Sequence, residues 1–323
     1  MVKNNLENSD IEEIDKSLFE FAKYDSKKAE LIGYSNYSYW KSTLNVFTKN
    51  KVAVFLLVVV VFLLLFTVVQ PYLPNQHSPI KINIDEKTGL QLRNLPPSAE
   101  YWFGTNSIGQ DLWSRIWSGT RTSLFIGLTV GFIELIIGIF IGSIWGYVRK
   151  FDPIITEIYN VITNVPTTII LILIAYIMKP GIITIIVAMS VTRWTNMARF
   201  VRNLVIIIRD REYNLASRCL GTPLSRIATK NLLPYLVSVI MLRLALAIPL
   251  AIGSEVFLTY IGIGLPVDVP SLGNLINEGR VFMMVPSLRY QLLFPTAVLS
   301  IITISFYVMG NAFGDASDPK NHL

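Results

Sequence analysis

The sequence is poor in the residues that build metal centres and disulfides. It contains one cysteine, Cys219, and two histidines, His77 and His322, which lie far apart in polar segments. A single cysteine excludes a disulfide within the chain and a cysteine cluster for zinc. Two distant histidines leave little for metal binding or for histidine-based catalysis. We therefore expect no metal site and no catalytic residues in this chain.

Common enzyme motifs are also missing. The chain contains no Gly-Lys dipeptide, so it lacks the GxxxxGK[ST] loop that binds nucleotide phosphates. It also lacks HExxH and GxSxG motifs and any cluster of carboxylates with histidines. We therefore expect a protein that is not an enzyme and does not hydrolyse ATP by itself.

Charged residues are scarce. They make up 15% of the chain, whereas 52% of residues are hydrophobic and the mean hydropathy is +0.50. A soluble domain has about a quarter of its residues charged. The run Val52–Val69 is interrupted only by Thr67, so a helix there can cross about 30 Å of hydrocarbon. About fifty mainly polar residues precede it, unlike a cleavable signal peptide. Because the runs do not alternate as barrel strands do, we predict an all-α integral membrane protein.

Six apolar runs predict six transmembrane helices. The first covers residues 52–70, and the run that begins at Ile182 gives the weakest signal because its purely apolar part is short. The predicted parts are a cytosolic N-terminal tail, a first transmembrane helix, an extracellular loop, a five-helix core and a cytosolic C-terminal tail. Their boundaries are 1–51, 52–70, 71–121, 122–310 and 311–323, with a cytosolic loop at 193–234 inside the core. The remaining spans are expected near 123–147, 158–178, 235–261 and 292–309.

Basic residues in short loops indicate the orientation. If the N-terminus is inside, the inner loops hold Arg149–Lys150 and a dense basic series within 193–230. The outer connections after the first hold only Lys179, Arg280 and Arg289, although the first outer loop carries five basic residues. This distribution predicts a cell-membrane protein with both termini cytosolic. The formal net charge of +6 is then mainly a topology signal, and nucleic-acid binding becomes a remote interpretation.

The inner loop between the fourth and fifth spans carries an apolar stripe. Leu215, Ala216, Cys219 and Leu220 fall on one face of a helix. Gly221 can adopt the left-handed conformation that closes that helix. An apolar stripe on a cytosolic helix needs a partner, and the pattern alone favours the lipid surface or the protein's own helices.

The same loop resembles the EAA loop of ABC-importer permeases. Gly221 followed by Leu233–Pro234 has the spacing of that motif, in which Glu-Ala-Ala precedes a glycine and Ile-x-Leu-Pro follows. Leu215 stands where the motif has Glu, Ala216 matches, and Ser217 replaces the second Ala.

Further stretches resemble the oligopeptide/dipeptide permeases. They are similar to the GTDxxGRDxxSR and GxRxSL segments, the ExxLSFLGLG and PxWGxxL…EGR segments, and the GDxLRDxLDP ending. The residues that depart from the patterns are Asn106, Gln110, Asn311, Gly314 and Ser317. The matching residues are Phe103–Arg115, Gly119–Leu124, Glu255–Gly264, Pro270–Arg280 and Gly310–Pro319. The resemblance covers nearly everything after residue 45 in the same order, and it is closest to the C-type (OppC-like) permease subunit of a peptide importer.

This resemblance implies a type I ABC-importer (MetI-like) permease fold and a set of partners. These are a homologous B-type permease, two cytosolic ATPases that bind ATP and Mg²⁺, and an extracellular peptide-binding protein. No cofactor is expected on this chain itself. The loop would be a coupling helix seated in a groove of one ATPase, with the coupling residues Glu212, Leu215, Ala216, Ser217, Leu220, Gly221, Leu233 and Pro234.

Charges inside the predicted spans are costly unless they are paired or hydrated. Glu134, in the middle of the second span, is expected either to line the translocation path or to make a structural hydrogen bond. Glu255, near the outer end of the fifth span, is a candidate for a gate or an interface. Arg243 is expected to extend towards the inner interface. Glycines of the second span predict close helix packing: Gly127, Gly131 and the segment 138–142.

The expected function is a permease subunit that forms half of the path for oligopeptides and is coupled to cytosolic ATPases. A permease for dipeptides or nickel in the same family remains an alternative. A stand-alone secondary transporter is a weaker one, because such proteins commonly show internal repeats and none is evident here. No stretch predicts a tight substrate pocket, so selectivity is expected to lie with the binding protein.

Overall fold

The computed structural model describes residues 39–227 and 233–317 of the chain. Within these ranges the regular secondary structure is helical, apart from two isolated β-bridges that pair Ile84 with Gln91 and Thr105 with Asp111. The all-α prediction is confirmed for this part of the chain. Most of the predicted N-terminal tail and the last residues of the C-terminal tail lie outside the described residues.

The described residues form eleven α-helices and two 3₁₀ turns. The turns cover Gln70–Tyr72 and Pro286–Leu288. The helices are α1 (Tyr39–Lys49), α2 (Lys51–Val69), α3 (Leu112–Tyr147), α4 (Asp152–Asn164), α5 (Thr167–Ile177), α6 (Ile182–Arg209), α7 (Glu212–Cys219), α8 (Leu224–Ile227), α9 (Leu233–Tyr260), α10 (Leu272–Arg280) and α11 (Tyr290–Ser317).

Four helices of the described chain are long and apolar enough to cross a membrane: α2, α3, α9 and α11. Helices α4 and α5 meet at an 81° bend and make a fifth candidate if the pair is one span. The predicted third span, 158–178, is therefore broken at Pro166. Proline lacks an N–H for the helix ladder and pushes Val165 into extended backbone, which ends α4. Four or five candidates leave the predicted count of six unconfirmed.

Helix α6 extends much further than the predicted fourth span. The expected cytosolic loop 193–234 begins here as the second half of a 28-residue helix. The sequence becomes basic after Val191, but neighbouring helices partner the basic groups. Arg193 pairs with Glu134, and Arg202 pairs with Asp152. These contacts let the helix continue where polarity alone predicted a loop.

Helices α3 and α6 pack side by side and run parallel. A Cβ on Gly138 would lie 2.4 Å from Met197, and one on Gly146 would lie 2.8 Å from Val205, so residue numbers rise together along both helices. Between them, a Cβ on Gly142 would meet the carbonyl oxygen of Ala198 at 2.5 Å. The predicted role of these glycines in close helix packing is confirmed.

The other glycines of α3 face a different helix. Gly127 abuts Ile252, and Gly131 abuts Ile248 and Leu244, so α9 runs antiparallel to α3. The sequence analysis predicted one face of small residues on α3, and the structure has two. The glycines towards the end of α3 pack against α6, and those nearer its start pack against α9.

The bent pair α4–α5 runs back along α6. Asp152 at the start of α4 pairs with Arg202 at 2.7 Å, and the Tyr159 hydroxyl accepts a hydrogen bond from Arg199 at 2.8 Å. Further on, Leu171 of α5 joins the apolar cluster that contains Ile185 near the start of α6. Helix α6 is about 42 Å long at 1.5 Å per residue. The segment that connects the end of α3 to the start of α6 therefore covers roughly this distance.

Helices α2 and α11 also run antiparallel, and each end of α2 has a defined neighbour. Ala53 clusters with Ala312 and Ala316, so the start of α2 lies beside the end of α11. At the other end of α2, Phe66 packs edge-on against Trp117 near the start of α3, with ring centroids 4.6 Å apart. Helix α2 therefore closes the bundle on one side.

Candidate functional site

The apolar stripe of the inner loop is helical and exposed. Leu215 is 44% exposed and Leu220, just after α7, is 86% exposed. Ala216 and Cys219 are exposed on the same stretch. None of these four side chains is buried against the described part of the protein, so the stripe is available to another surface.

Gly221 closes α7 as the sequence predicts. Its φ is +76°, in the left-handed region that glycine adopts without steric cost. The N–H of Thr222 donates to the carbonyl oxygen of Ser217 at 3.0 Å, and the N–H of Gly221 donates to that of Arg218 at 2.9 Å. This pair of bonds is a Schellman motif, which satisfies the last helical carbonyls and turns the chain sharply.

The opposite side of α7 is anchored to the bundle. Asn214 is fully buried, and its Nδ2 donates to the Ile208 carbonyl oxygen at 2.8 Å. The Arg218 guanidinium lies 5.2 Å from the centroid of the Tyr147 ring at the end of α3. Helix α7 is thus held to the ends of both α6 and α3. Those two ends are joined in turn by Arg209 of α6, which donates from Nη1 to the carbonyl oxygen of Gly146 at 2.8 Å.

Asp210 strengthens this anchor. Its two carboxylate oxygens accept hydrogen bonds from Nε and Nη2 of Arg209 at 3.0 and 2.9 Å. These bonds lower the pKa of Asp210 below its usual value of 3.8, and the charges of Arg149 and Arg218 act in the same direction. The carboxylate therefore stays ionised and holds Arg209 in the orientation that reaches Gly146.

The remaining predicted coupling residues lie on the same segment or just after it. Glu212 is exposed in the first turn of α7, where the helix dipole stabilises a negative charge. Ser217 is half-buried and its hydroxyl donates to the Tyr213 carbonyl oxygen. Leu233 and Pro234 begin α9, and their side chains lie outside the described part of the structure.

A cavity of about 390 Å³ lies between α3, α6 and α9, and Glu134 lines it. Oε2 of Glu134 accepts a hydrogen bond from Nε of Arg193 at 3.0 Å, and Glu134 is 7% exposed. Nη2 of Arg193 also donates to the Ala247 carbonyl oxygen at 3.4 Å. The cavity wall further includes Arg243. Glu134 therefore makes a buried ion pair and lines a cavity, and its place on a translocation path stays a prediction.

Glu255 lies in a different place, at a junction of three helices. It is fully buried, and its Oε1 accepts hydrogen bonds from the hydroxyls of Ser271 at 2.8 Å and Thr259 at 3.2 Å. Oε2 accepts from Ser123 at 3.0 Å, and the same Ser123 oxygen accepts from the N–H of Leu272. The carboxylate thereby joins α3, α9 and the N-terminus of α10.

Sequence reasoning missed a buried ion pair near the other end of α3. Nη2 of Arg115 donates to Oε1 of Glu278 at 2.7 Å, with Arg115 only 1% exposed. Nη1 of Arg115 also contacts Gln110, whose side-chain amide donates to the Ile80 carbonyl oxygen. Burial raises the pKa of Glu278, although the charge of Arg115 opposes the shift. Arg115 and Glu278 both lie in stretches that resemble the peptide permeases. Their contact could not be predicted, because only the fold brings α10 against α3 and the loop before it.

The described residues contain no group of three or more histidine, cysteine or acidic side chains placed to hold a metal ion. The contacts found here are ion pairs, hydroxyl–carboxylate hydrogen bonds and an exposed apolar surface. The ion pairs and hydrogen bonds connect helices and border a polar cavity, and the apolar surface is exposed.

The family described as "Binding-protein-dependent transport system inner membrane component" matches residues 134–322, more than half of the chain. This chain belongs to that family. The "N-terminal TM domain of oligopeptide transport permease C" matches residues 38–97. The first matched segment contains Glu134 and helix α7, and the second contains helix α2.

Curated members of the family are similar to this chain over nearly its whole length. An oligopeptide transport system permease protein AmiD of Streptococcus pneumoniae is 39% identical and covers 96% of this chain and 99% of that protein. The oligopeptide permease protein OppC of Bacillus subtilis is 34% identical, with 96% and 99% covered. The dipeptide permease protein DppC of the same species is 36% identical, with 91% and 90% covered. This member of the family is thus an inner-membrane transport component, which agrees with its apolar helices.

Proposed function

We propose that the chain is the C-type permease subunit of an ABC importer and forms half of the translocation path for oligopeptides. The partners would be a homologous B-type permease, two cytosolic ATPase subunits that carry the ATP and Mg²⁺, and an extracellular peptide-binding protein. The full-length similarity to oligopeptide permeases supports the substrate class. The observation that carries the coupling role is the exposed apolar stripe on a helix that is anchored to the bundle.

We further propose six crossings with both termini cytosolic in the cell membrane. The candidate set is α2, α3, the bent pair α4–α5, α6, α9 and α11. Three arrangements support it: α2 and α3 are antiparallel neighbours, α3 and α6 are parallel, and the bent pair returns along α6 between them. Helix α9 then runs against α3 and α11 against α9, so successive crossings alternate in direction. The end that carries α7 also carries most of the basic loop residues, which supports placing it inside.

In this arrangement the anchored helix α7 serves as the coupling helix. The exposed side chains Leu215 and Leu220 would enter a groove of one ATPase. Since Asn214 and Arg218 hold α7 to the ends of α6 and α3, and Arg209 joins those two ends, closure of the ATPases would move the two helices as a unit. The Glu134–Arg193 pair on the same two helices borders the cavity, so the motion would change access to the path.

The coupling role is tested by replacing Leu215 and Leu220 with Asp in the co-expressed complex. We expect the ATPase subunits to be lost from the purified complex while the permease still inserts into the membrane, because a charged face cannot enter an apolar groove. The matched control is Leu90→Asp, the same change at a leucine that is 68% exposed in the extracellular loop. Unchanged ATPase recovery with the double variant would refute the assignment.

The division of labour has its own test. The chain purified alone in nanodiscs should show no ATP hydrolysis, and activity should appear only when the ATPase subunits are added. Turnover by the chain alone would contradict the proposal. A complete complex that takes up no peptide would contradict the substrate class instead.

A further inference from the structure

The cavity between α3, α6 and α9 contains an uneven set of charges. Glu134, Arg193 and Arg243 line it. The glutamate is engaged with Arg193 through the 3.0 Å Nε–Oε2 contact. Arg243 has no carboxylate within salt-bridge distance among the described residues, and its guanidinium lies 4.3 Å from the centroid of the Phe200 ring. The described lining residues thus include two arginines and one carboxylate, an excess of one positive charge at the cavity wall.

Arg243 stands at the edge of a candidate span. It is the second residue of the segment Leu242–Tyr260 that is apolar enough to cross the membrane, and its side chain is exposed. Ionisable groups of membrane spans face water-filled cavities or partners and mark transport pathways. The Phe200 ring stabilises the guanidinium through its face but cannot neutralise it. The positive charge of Arg243 therefore favours binding of an anion in the cavity.

The geometry around Arg243 suits a carboxylate. A guanidinium offers a planar fork of N–H donors that matches two carboxylate oxygens, and stacking on an aromatic ring holds that plane without using the donors. The side chain is exposed to the cavity rather than buried in the packing. A volume of about 390 Å³ lies at the small end of ligand pockets, so it would hold the end of an extended molecule.

We propose that Arg243 binds the C-terminal carboxylate of the peptide in transit. This inference rests on the proposed function, since it takes peptides as the substrate. The C-terminal carboxylate is the anionic group that peptides share whatever their side chains. The Glu134 carboxylate lies in the same cavity and lowers its affinity for an anion. Weak binding is what a translocation path needs, because the peptide must be released again. The hydrogen bond from Arg193 occupies one oxygen of the Glu134 carboxylate, so the peptide amino group has no equivalent free site among the described lining residues.

The test uses the complete importer in proteoliposomes with its binding protein, and it compares a peptide with a free C-terminus against its C-terminal amide. Both peptides are used at concentrations that saturate the binding protein, as shown by maximal stimulation of ATP hydrolysis. The variants are Arg243→Gln and Arg243→Lys. The matched control is Arg280→Gln, because Arg280 also stacks on a ring, that of Tyr260 at 4.1 Å, but does not line the cavity.

We expect Arg243→Gln to lower the saturated uptake of the free acid about tenfold, since one charge-assisted hydrogen-bonded contact is lost. The Arg243→Lys variant should keep most of the uptake, and Arg280→Gln should leave it unchanged. The amide should already be taken up slowly by the unmodified importer and should not respond to Arg243→Gln.

Two results would overturn the inference. One is uptake of the free acid at the unmodified rate by Arg243→Gln. The other is an equal loss for acid and amide, which would make Arg243 a structural residue. Failure of the proposed function is distinguishable, because the unmodified complex would then take up neither peptide.

Discussion

Replacing Gly142 by alanine should separate helices α3 and α6. The added Cβ would lie 2.5 Å from the carbonyl oxygen of Ala198, 2.8 Å from Cβ of Val201 and 3.0 Å from Cα of Ala198. Two of these atoms belong to the backbone, so no rotamer change can relieve the contact. A carbon–oxygen contact needs about 3.3 Å, so the helices must part locally by roughly 0.8 Å.

Overpacking of this kind costs about 1–3 kcal/mol. A mid-helix glycine replaced by alanine gains up to about 1 kcal/mol of helix propensity. Because the close contacts include backbone atoms that cannot move aside, we take the upper end of the overpacking cost and expect a net loss of about 2 kcal/mol. The control is Gly131→Ala on the same helix. Its Cβ would meet side-chain carbons of Ile248 and Leu244 at 3.4 and 3.7 Å, which are ordinary contacts. This variant should be neutral or slightly more stable.

The assay is unfolding of the purified chain in mixed micelles with increasing SDS, followed by circular dichroism. Gly142→Ala should unfold at a lower SDS fraction than the unmodified chain, and Gly131→Ala at the same or a higher fraction. Equal midpoints for Gly142→Ala and the unmodified chain would refute the packing argument, and so would equal destabilisation by the two variants.

Three further predictions use the same unfolding assay. Glu278→Gln should lower the free energy of unfolding by about 3 kcal/mol because it leaves Arg115 buried without its partner. The double variant Arg115→Met, Glu278→Leu should recover most of this loss. An equal loss in the single and the double variant would contradict the argument. Glu255→Gln should cost about 2 kcal/mol because the amide nitrogen cannot accept from the surrounding hydroxyls, and an unchanged midpoint would argue against the junction. The lowered pKa of Asp210 predicts that its contact with Arg209 stabilises the fold above about pH 3.8 and is lost as the pH falls through the lower folded-state value, a pH dependence that Asp210→Asn should remove.

Local features were predictable because short-range physics decides them. Gly221 terminates a helix as its position in the pattern suggested, and the apolar stripe around Leu215 and Leu220 is helical and exposed. The end of α6 was not predictable because hydropathy counts Arg193 and Arg202 as solvent-exposed, whereas each finds a carboxylate on another helix. Polarity along the chain does not reveal such partners.

The pairing of distant residues was not predictable. Glu134 with Arg193, and Arg115 with Glu278, are separated by many residues, and a single sequence carries no signal for which charges meet. Glu255 was expected at a gate or an interface, and its hydroxyl partners from two other segments became visible only in the fold. The roles of the coupling residues remain predictions that the experiments above address.

The sequence by itself determined that this is a helical membrane protein without the motifs of an enzyme, because the length and polarity of apolar runs dictate how a chain meets lipid. Its motifs placed it in a transport family. Only the tertiary structure decided the direction in which helices pack, which glycines face which neighbour, and where the charges are neutralised. These depend on contacts between segments far apart in the chain. Arg243 is the clearest case, since only the fold shows that it shares a cavity with Glu134 and Arg193 and that no carboxylate of the described residues lies within salt-bridge distance of it.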